Sequence, residues 1–154
     1  MVTIMKNRDG SGNEYIPVIT KDRYYKIKIK DIDFIEQFNN KLRVVTSDKN
    51  EYEFCGTIDE IASLLVGKSF FRVMKKLVIN FDNVEYINNY TLNFHSGIAY
   101  GVGRNNFLKL RRAYKNYLFG YLPFIGREEN RESGAAENLL GFEDSLLDID
   151  DDLQ

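Results

Sequence analysis

A mostly β domain with two helices at its periphery is the fold this sequence predicts, on three observations. Short stretches alternate polar and apolar residues with period two, and clusters of Asn, Asp, Ser and Gly punctuate them. Ten Tyr, eleven Phe and no Trp give an aromatic content that suits strands. Helical periodicity takes over only twice, after Thr57 and after Gly103. At 154 residues, 44% of them hydrophobic, the chain is one domain's worth with material for a packed core.

Residues 1–14, rich in Gly, Asn and charge, read as a flexible leader. Residues 15–20 form a short β-prone run. The stretch 24–30 alternates as a half-buried strand with Lys26, Lys28 and Lys30 on one face, a solvated one. Residues 33–38 and 42–46 flank the turn-like Asn39-Asn40-Lys41 and predict a hairpin. A second turn at 47–50 leads into the alternating run 51–55.

The period changes at Thr57. With Glu60 three residues on, Thr57 has the signature of a capping box, and Asp59 suits the positive end of the helix dipole. Ile58, Ile61, Leu64 and Leu65 supply the apolar stripe, and Gly67 is the expected stop. Next, Phe70 and Phe71 anchor a short loop carrying Arg72, Lys75 and Lys76, before a β-branched strand at 77–80. Arg72, beside two phenylalanines, is expected to snorkel or pair with an acid. Strands follow at 84–87 and 91–94, joined by Asn88-Asn89-Tyr90, and at 98–102. From Arg104, the residues Phe107, Leu110, Tyr114, Tyr117 and Leu118 fall at helical spacing, with Gly103 as N-cap and Gly120 as stop. Residues 117–126 are apolar, carry Pro123 and are expected to turn back onto the core. Residues 127–154 read as an acidic tail, disordered or only transiently helical.

The net charge of −2 conceals a segregation. Residues 1–120 hold 19 Lys and Arg against 13 Asp and Glu, a net +6, while 121–154 hold two Arg against ten acids, a net −8. A basic domain followed by an acidic tail points to nucleic acid or to intramolecular masking; a solubilising appendage is the plainer reading of the tail.

Several classes are not expected. No apolar run reaches membrane-helix length, and the polar residues from Asn7 to Asn13 leave no room for a signal-peptide core. Cys55 is the single cysteine, which precludes an internal disulfide and suits a reducing cytoplasm. Cys55 itself reads as a small buried hydrophobe, and His95 as a surface or hydrogen-bonded histidine. There is no paired Cys/His set for zinc, no glycine-rich phosphate loop and no calcium loop. Neither a metal nor a cofactor is expected, and a hydrolase would have to rely on His95 without a nucleophile elbow. An enzyme is not expected.

The order of elements, a capped helix, Phe71-Arg72 at its exit, a basic loop, then Val78-Ile79-Asn80, a hairpin and a Gly103-Arg104 helix start, resembles the LytTR DNA-binding domain. The resemblance covers about residues 15–120. It implies an elongated fold of small antiparallel sheets and a bacterial transcription regulator that inserts loops into successive major grooves on one face of double-stranded DNA. Carried over residue by residue, the base-reading positions fall on Lys75 in the central loop, Arg104 at the final helix start and Lys41 in the hairpin. All three suit guanine O6 and N7. Lys76, Arg111 and Arg112 suit phosphate contacts. Met74 stands where the family usually has His, Lys76 where it has Ser, and Gly103 where Ser is common. With about fourteen residues before the first strand, a stand-alone regulator without a receiver domain is expected. The resemblance further implies two copies on repeated half-sites and control by a partner protein, sometimes a membrane inhibitor. An alternative is an interaction module of the same fold, with DNA binding weakened or autoinhibited and the acidic tail as its contact.

Overall fold

The chain folds into three antiparallel sheets, and the middle one organises the other two. The computed structural model describes residues 2–123 and residue 125; the expected acidic tail at 127–154 lies outside them. Strands β1 (Met5–Lys6), β2 (Glu14–Ile19) and β3 (Tyr24–Lys28) form the first sheet. The central sheet contains β4 (Ile32–Phe38), β5 (Lys41–Thr46), β6 (Glu51–Cys55), β7 (Phe70–Met74) and β8 (Leu77–Asn80), in the order β6-β5-β4-β8-β7. The third is β9 (Val84–Asn88), β10 (Thr91–Phe94) and β11 (Ala99–Gly101), in the order β11-β10-β9. Helix α1 (Ile58–Leu64) lies between β6 and β7 in sequence, and α2 (Arg104–Leu118) follows β11.

Strand pleating divides the core in two, because successive side chains leave opposite faces of a strand. Val78 joins one cluster while its neighbours Leu77 and Ile79 join the other. Phe70 and Phe71 separate in the same way. The first cluster packs the central sheet against the first sheet and α1 through Ile16, Ile27, Ile35, Leu42, Ile58 and Ile61. The second packs it against the third sheet and α2 through Phe34, Ile79, Phe81, Leu92, Phe107 and Leu110. The central strands thus have both faces buried, and the helices cap the outside, as the mostly β reading requires.

Most elements fall where the alternation places them. The capping box is formed: the Glu60 N–H donates to Thr57 Oγ1 at 3.2 Å and the Thr57 N–H to Glu60 Oε1 at 3.2 Å. The helix ends at Leu64, before Gly67, and Gly67 (φ 82°) serves the turn that follows. Four departures have physical reasons. The leader contributes β1, because Met5 and Lys6 pair with Tyr15 and Glu14, a partnership too short to show in periodicity. Residues 29–31 form a 3-10 turn, which removes Lys30 from the β3 strand. The expected loop at 70–76 is mostly strand: β7 pairs with β8, and only Lys75 and Lys76 remain in the turn. Its burial on both faces hides the alternation that would have marked it. Cys55 is exposed, since period two sets it with Glu51 and Glu53, opposite Tyr52 and Phe54.

Asn80 ties the layers together. Its side chain is buried; Nδ2 donates to Ile32 O at 3.0 Å, while Oδ1 accepts from Ser69 Oγ at 2.9 Å and from the Asp82 N–H at 3.1 Å. The end of β8 is thereby joined to the start of β4, the approach to β7 and the 3-10 turn at Phe81–Asn83. Asn83 Nδ2 reinforces the same carbonyl, donating to Ile32 O at 3.0 Å. Asn80→Ala strands these partners and should destabilise the protein by roughly 1–3 kcal/mol, read as a fall in the urea midpoint without a change in slope.

Asp33 lies fully buried one residue further along β4. Its Oδ2 accepts from Ser96 Oγ at 2.8 Å, and Oδ1 lacks a partner among the described residues. Burial holds its carboxyl above the ordinary value. A raised native pKa means that the folded state holds this proton more tightly than the unfolded chain. Stability from this site is therefore greatest below the unfolded value and falls as pH rises through the folded one. Asp33→Asn should flatten that slope, so that its urea midpoint, compared with the native protein's, improves from pH 4 to pH 7; a difference that does not change with pH would contradict it.

Candidate nucleic-acid interface

Two hairpin turns share one end of the central sheet. Asn39 and Asn40 link β4 to β5, with Asn39 at φ 56°, a conformation Asn tolerates better than most residues. Lys75 and Lys76 link β7 to β8. Because β4 and β8 are neighbours and antiparallel, with Glu36 opposite Leu77, the turns lie side by side, and the Gln37 N–H donates to Lys76 O at 3.0 Å. Lys41, paired across to Cys55, stands at the same rim. The start of α1 is held there too, since the Ile58 N–H donates to Gln37 Oε1 at 2.8 Å.

The central turn is braced from beneath by Arg72. Its side chain, only 8% exposed, donates from Nε and Nη2 to Lys75 O at 3.2 and 2.7 Å, and Nη2 lies 2.9 Å from Asp59 Oδ1. One guanidinium thus fixes the carbonyl of Lys75 while a carboxylate from α1 balances its charge. Met74 packs against the second core cluster. Lys75 and Lys76 are left exposed on a turn whose backbone is held from two sides.

The third sheet runs toward the same end. Ser96 Oγ meets Asp33 near the start of β4, and Tyr100 Oη donates to Glu36 Oε2, further along the strand, at 2.6 Å. The segment from Ser96 to Tyr100 therefore rises alongside β4 and delivers Gly103 and Arg104 to the rim bearing the hairpin turns. Helix α2 then returns: Tyr114 Oη donates to Val84 O at 3.3 Å, and Tyr117 Oη bonds Asp82 Oδ1. Fifteen helical residues cover about 22 Å, much the same as the seven-residue β4, so the opposite end of α2 reaches the opposite end of the sheet. Glu36 carries two loads here, because Arg43 bridges it to Glu51 while Tyr100 bonds its other oxygen. Burial, with the carboxylate beside it, pushes the Tyr100 phenol up from its ordinary value.

A fourth reversal joins this rim. Asn89 and Tyr90 connect β9 to β10, and Tyr90 O accepts from the Val102 N–H at 2.8 Å, two residues before Arg104. Both have positive φ, 50° and 61°, as a type I′ hairpin turn demands. For Tyr90 that conformation costs about 1–2 kcal/mol. Its ring meets Phe107 edge-on at 4.9 Å, a contact of about 0.5–1.5 kcal/mol beyond the area it buries.

The structure thus gathers Lys75 and Lys76 on a turn, Lys41 at the start of β5 and Arg104 at the start of α2 toward one end, all exposed. Arg111 and Arg112 lie elsewhere, two turns along α2, half-buried and each already engaged with another group of the protein. His95 is exposed at the far end, beside Ser96, and the described residues hold no cluster of three His, Cys, Asp or Glu fit for a metal. No helix among them is long and apolar enough to cross a membrane.

The family model of the LytTr DNA-binding domain matches residues 22–115. The chain belongs to the LytTr DNA-binding domain family. A solved structure named as the LytTr DNA-binding domain of a methyl-accepting/DNA response regulator from Bacillus cereus shares the fold. That match has a TM-score of 0.52 and 18% identity, and covers 70% of this chain and 97% of the other. No curated protein matches the chain. The LytTr family match spans β3 to all but the last turn of α2, and so includes every turn of the rim.

Asn89 and Tyr90 of this LytTr domain escaped the sequence reading, which used them only as a turn. Arg72→Leu should loosen the brace, lowering stability by roughly 1–3 kcal/mol. Hydrogen exchange should accelerate at the Gln37 amide, which is bonded to Lys76 O; unchanged exchange there would show that the turn stands without Arg72.

Proposed function

We propose that this protein is a sequence-specific regulator of transcription that reads double-stranded DNA with the turns of its rim. The single observation that carries the reading is the convergence of Lys41, Lys75, Lys76 and Arg104, from three separate segments, on one end of the layered sheets. A two-stranded hairpin fits the major groove, about 12 Å wide, and Lys or Arg at its tip can donate to guanine O6 and N7. The net +6 of residues 1–120 draws the domain to the polyanion, and the turns supply discrimination once it is there. Lys41, Lys75 and Arg104 are assigned to bases. Lys76 is assigned to phosphate, as are Arg111 and Arg112 further back on α2, where binding would exchange their present contacts for the DNA backbone. Family membership supports successive major grooves on one DNA face, two copies on repeated half-sites and control by a partner protein.

In vitro selection from random DNA, followed by binding measured across salt concentration, tests this assignment. Lys75→Ala and Arg104→Ala should each cost roughly 1–3 kcal/mol and relax preference at one site position. Lys76→Ala should weaken all sequences alike and reduce the salt slope by about one unit. An unchanged selected motif and an unchanged slope in all three variants would sink the assignment.

A further inference from the structure

We infer that the β9–β10 turn is a further reading element, in which Asn89 and Tyr90 recognise an A·T pair beside the base contacted by Arg104. This rests on the DNA-reading assignment above and extends it to a loop without a cationic side chain. Position is the first ground: Tyr90 O holds the Val102 N–H at 2.8 Å, so the turn and the start of α2 move as one unit. Exposure is the second. Asn88, Asn89 and Tyr90 are all exposed, and Tyr90 keeps 44% of its surface in solvent despite its contact with Phe107.

The third ground is the residue choice. A type I′ turn is served without strain by Asn-Gly, yet the second position here is a tyrosine at φ 61°. The Phe107 contact seats one side of the ring and leaves 44% of the residue exposed at the tip. Strained backbone of this kind gathers at binding sites. The surrounding bonds also fix the tip: Thr91 Oγ1 donates to Asn89 O at 3.1 Å, and Asn93 Nδ2 to Asn88 Oδ1 at 3.4 Å. Asn89 is left as the amide at the apex. An asparagine amide pairs with adenine N6 and N7, and an aromatic face suits the thymine methyl group. The rim thereby combines charged donors for guanine with an uncharged reader for the neighbouring pair.

The test uses the full chain and in vitro selection with Asn89→Gly, Tyr90→Gly and Arg104→Ala in parallel. Glycine accepts the positive φ at both positions, so the turn is retained, and Asn89→Gly leaves the Phe107 contact in place. Asn89→Gly should abolish preference at one position adjacent to that relaxed by Arg104→Ala. Affinity for the preferred site should fall roughly tenfold, with no change in salt slope because no charge is removed. Tyr90→Gly should relax the same position. If both glycine variants select the unaltered motif while Arg104→Ala relaxes its own position, the inference is wrong and the assignment of the cations stands. If Arg104→Ala also selects the unaltered motif, the assignment falls, and the inference with it.

Discussion

The amide of Asn80 is the interaction on which the rest of the molecule depends. A buried carboxamide has two donors and an acceptor with two lone pairs, and this one spends them on three segments far apart in sequence. Through Ile32 it sets where β4 begins, and through Asp82 it turns the chain into the third sheet. Because β4 is neighbour to both β5 and β8, fixing its start fixes the height at which both hairpin tips emerge. A shift of one residue in that pairing would send every buried side chain of the strand to the wrong layer. The rim is level because one side chain sets its far end.

Electrostatics at the rim follow the same economy. Cations that must face outward are exposed on turns, whereas the one that sits inside, Arg72, is matched by Asp59 and by a carbonyl. Burying a guanidinium without such partners would cost several kcal/mol. Arg43 is treated alike between Glu36 and Glu51. The turn that exposes Lys75 and Lys76 is thus held by a neighbour whose own charge is matched.

Much of this was legible in the sequence, for identifiable reasons. Strands with one wet face, such as β6, announce themselves by alternation, and Thr57 with Glu60 announces α1. What escaped lacked a local signal. β7 is buried on both faces, so Phe70 to Met74 shows no alternation, and β1 depends on partners eight and ten residues away. Cys55 was misplaced because its residue type outweighed the period, although the alternation with Glu51 and Glu53 gave the right face. Lys41, Lys75 and Arg104 could be picked out singly, and that they serve one face was implied by the family resemblance and not by the residues themselves. That convergence depends on Ser96 and Tyr100 each finding a carboxylate on β4.

Val2 and Ile125 are both buried in the first core cluster, beside Ile16, Leu42 and Ile58. Residues near the two ends of the described chain therefore close the same layer, one on each side of everything between them. During synthesis, that layer can be completed only after the ribosome has released α2 and the residues beyond it. An excised fragment limited to the family-matched span of 22–115 would leave it open, with apolar surface of Leu42 and Ile58 turned to water. The first core cluster thus extends, at both ends, beyond the segment that identifies the family.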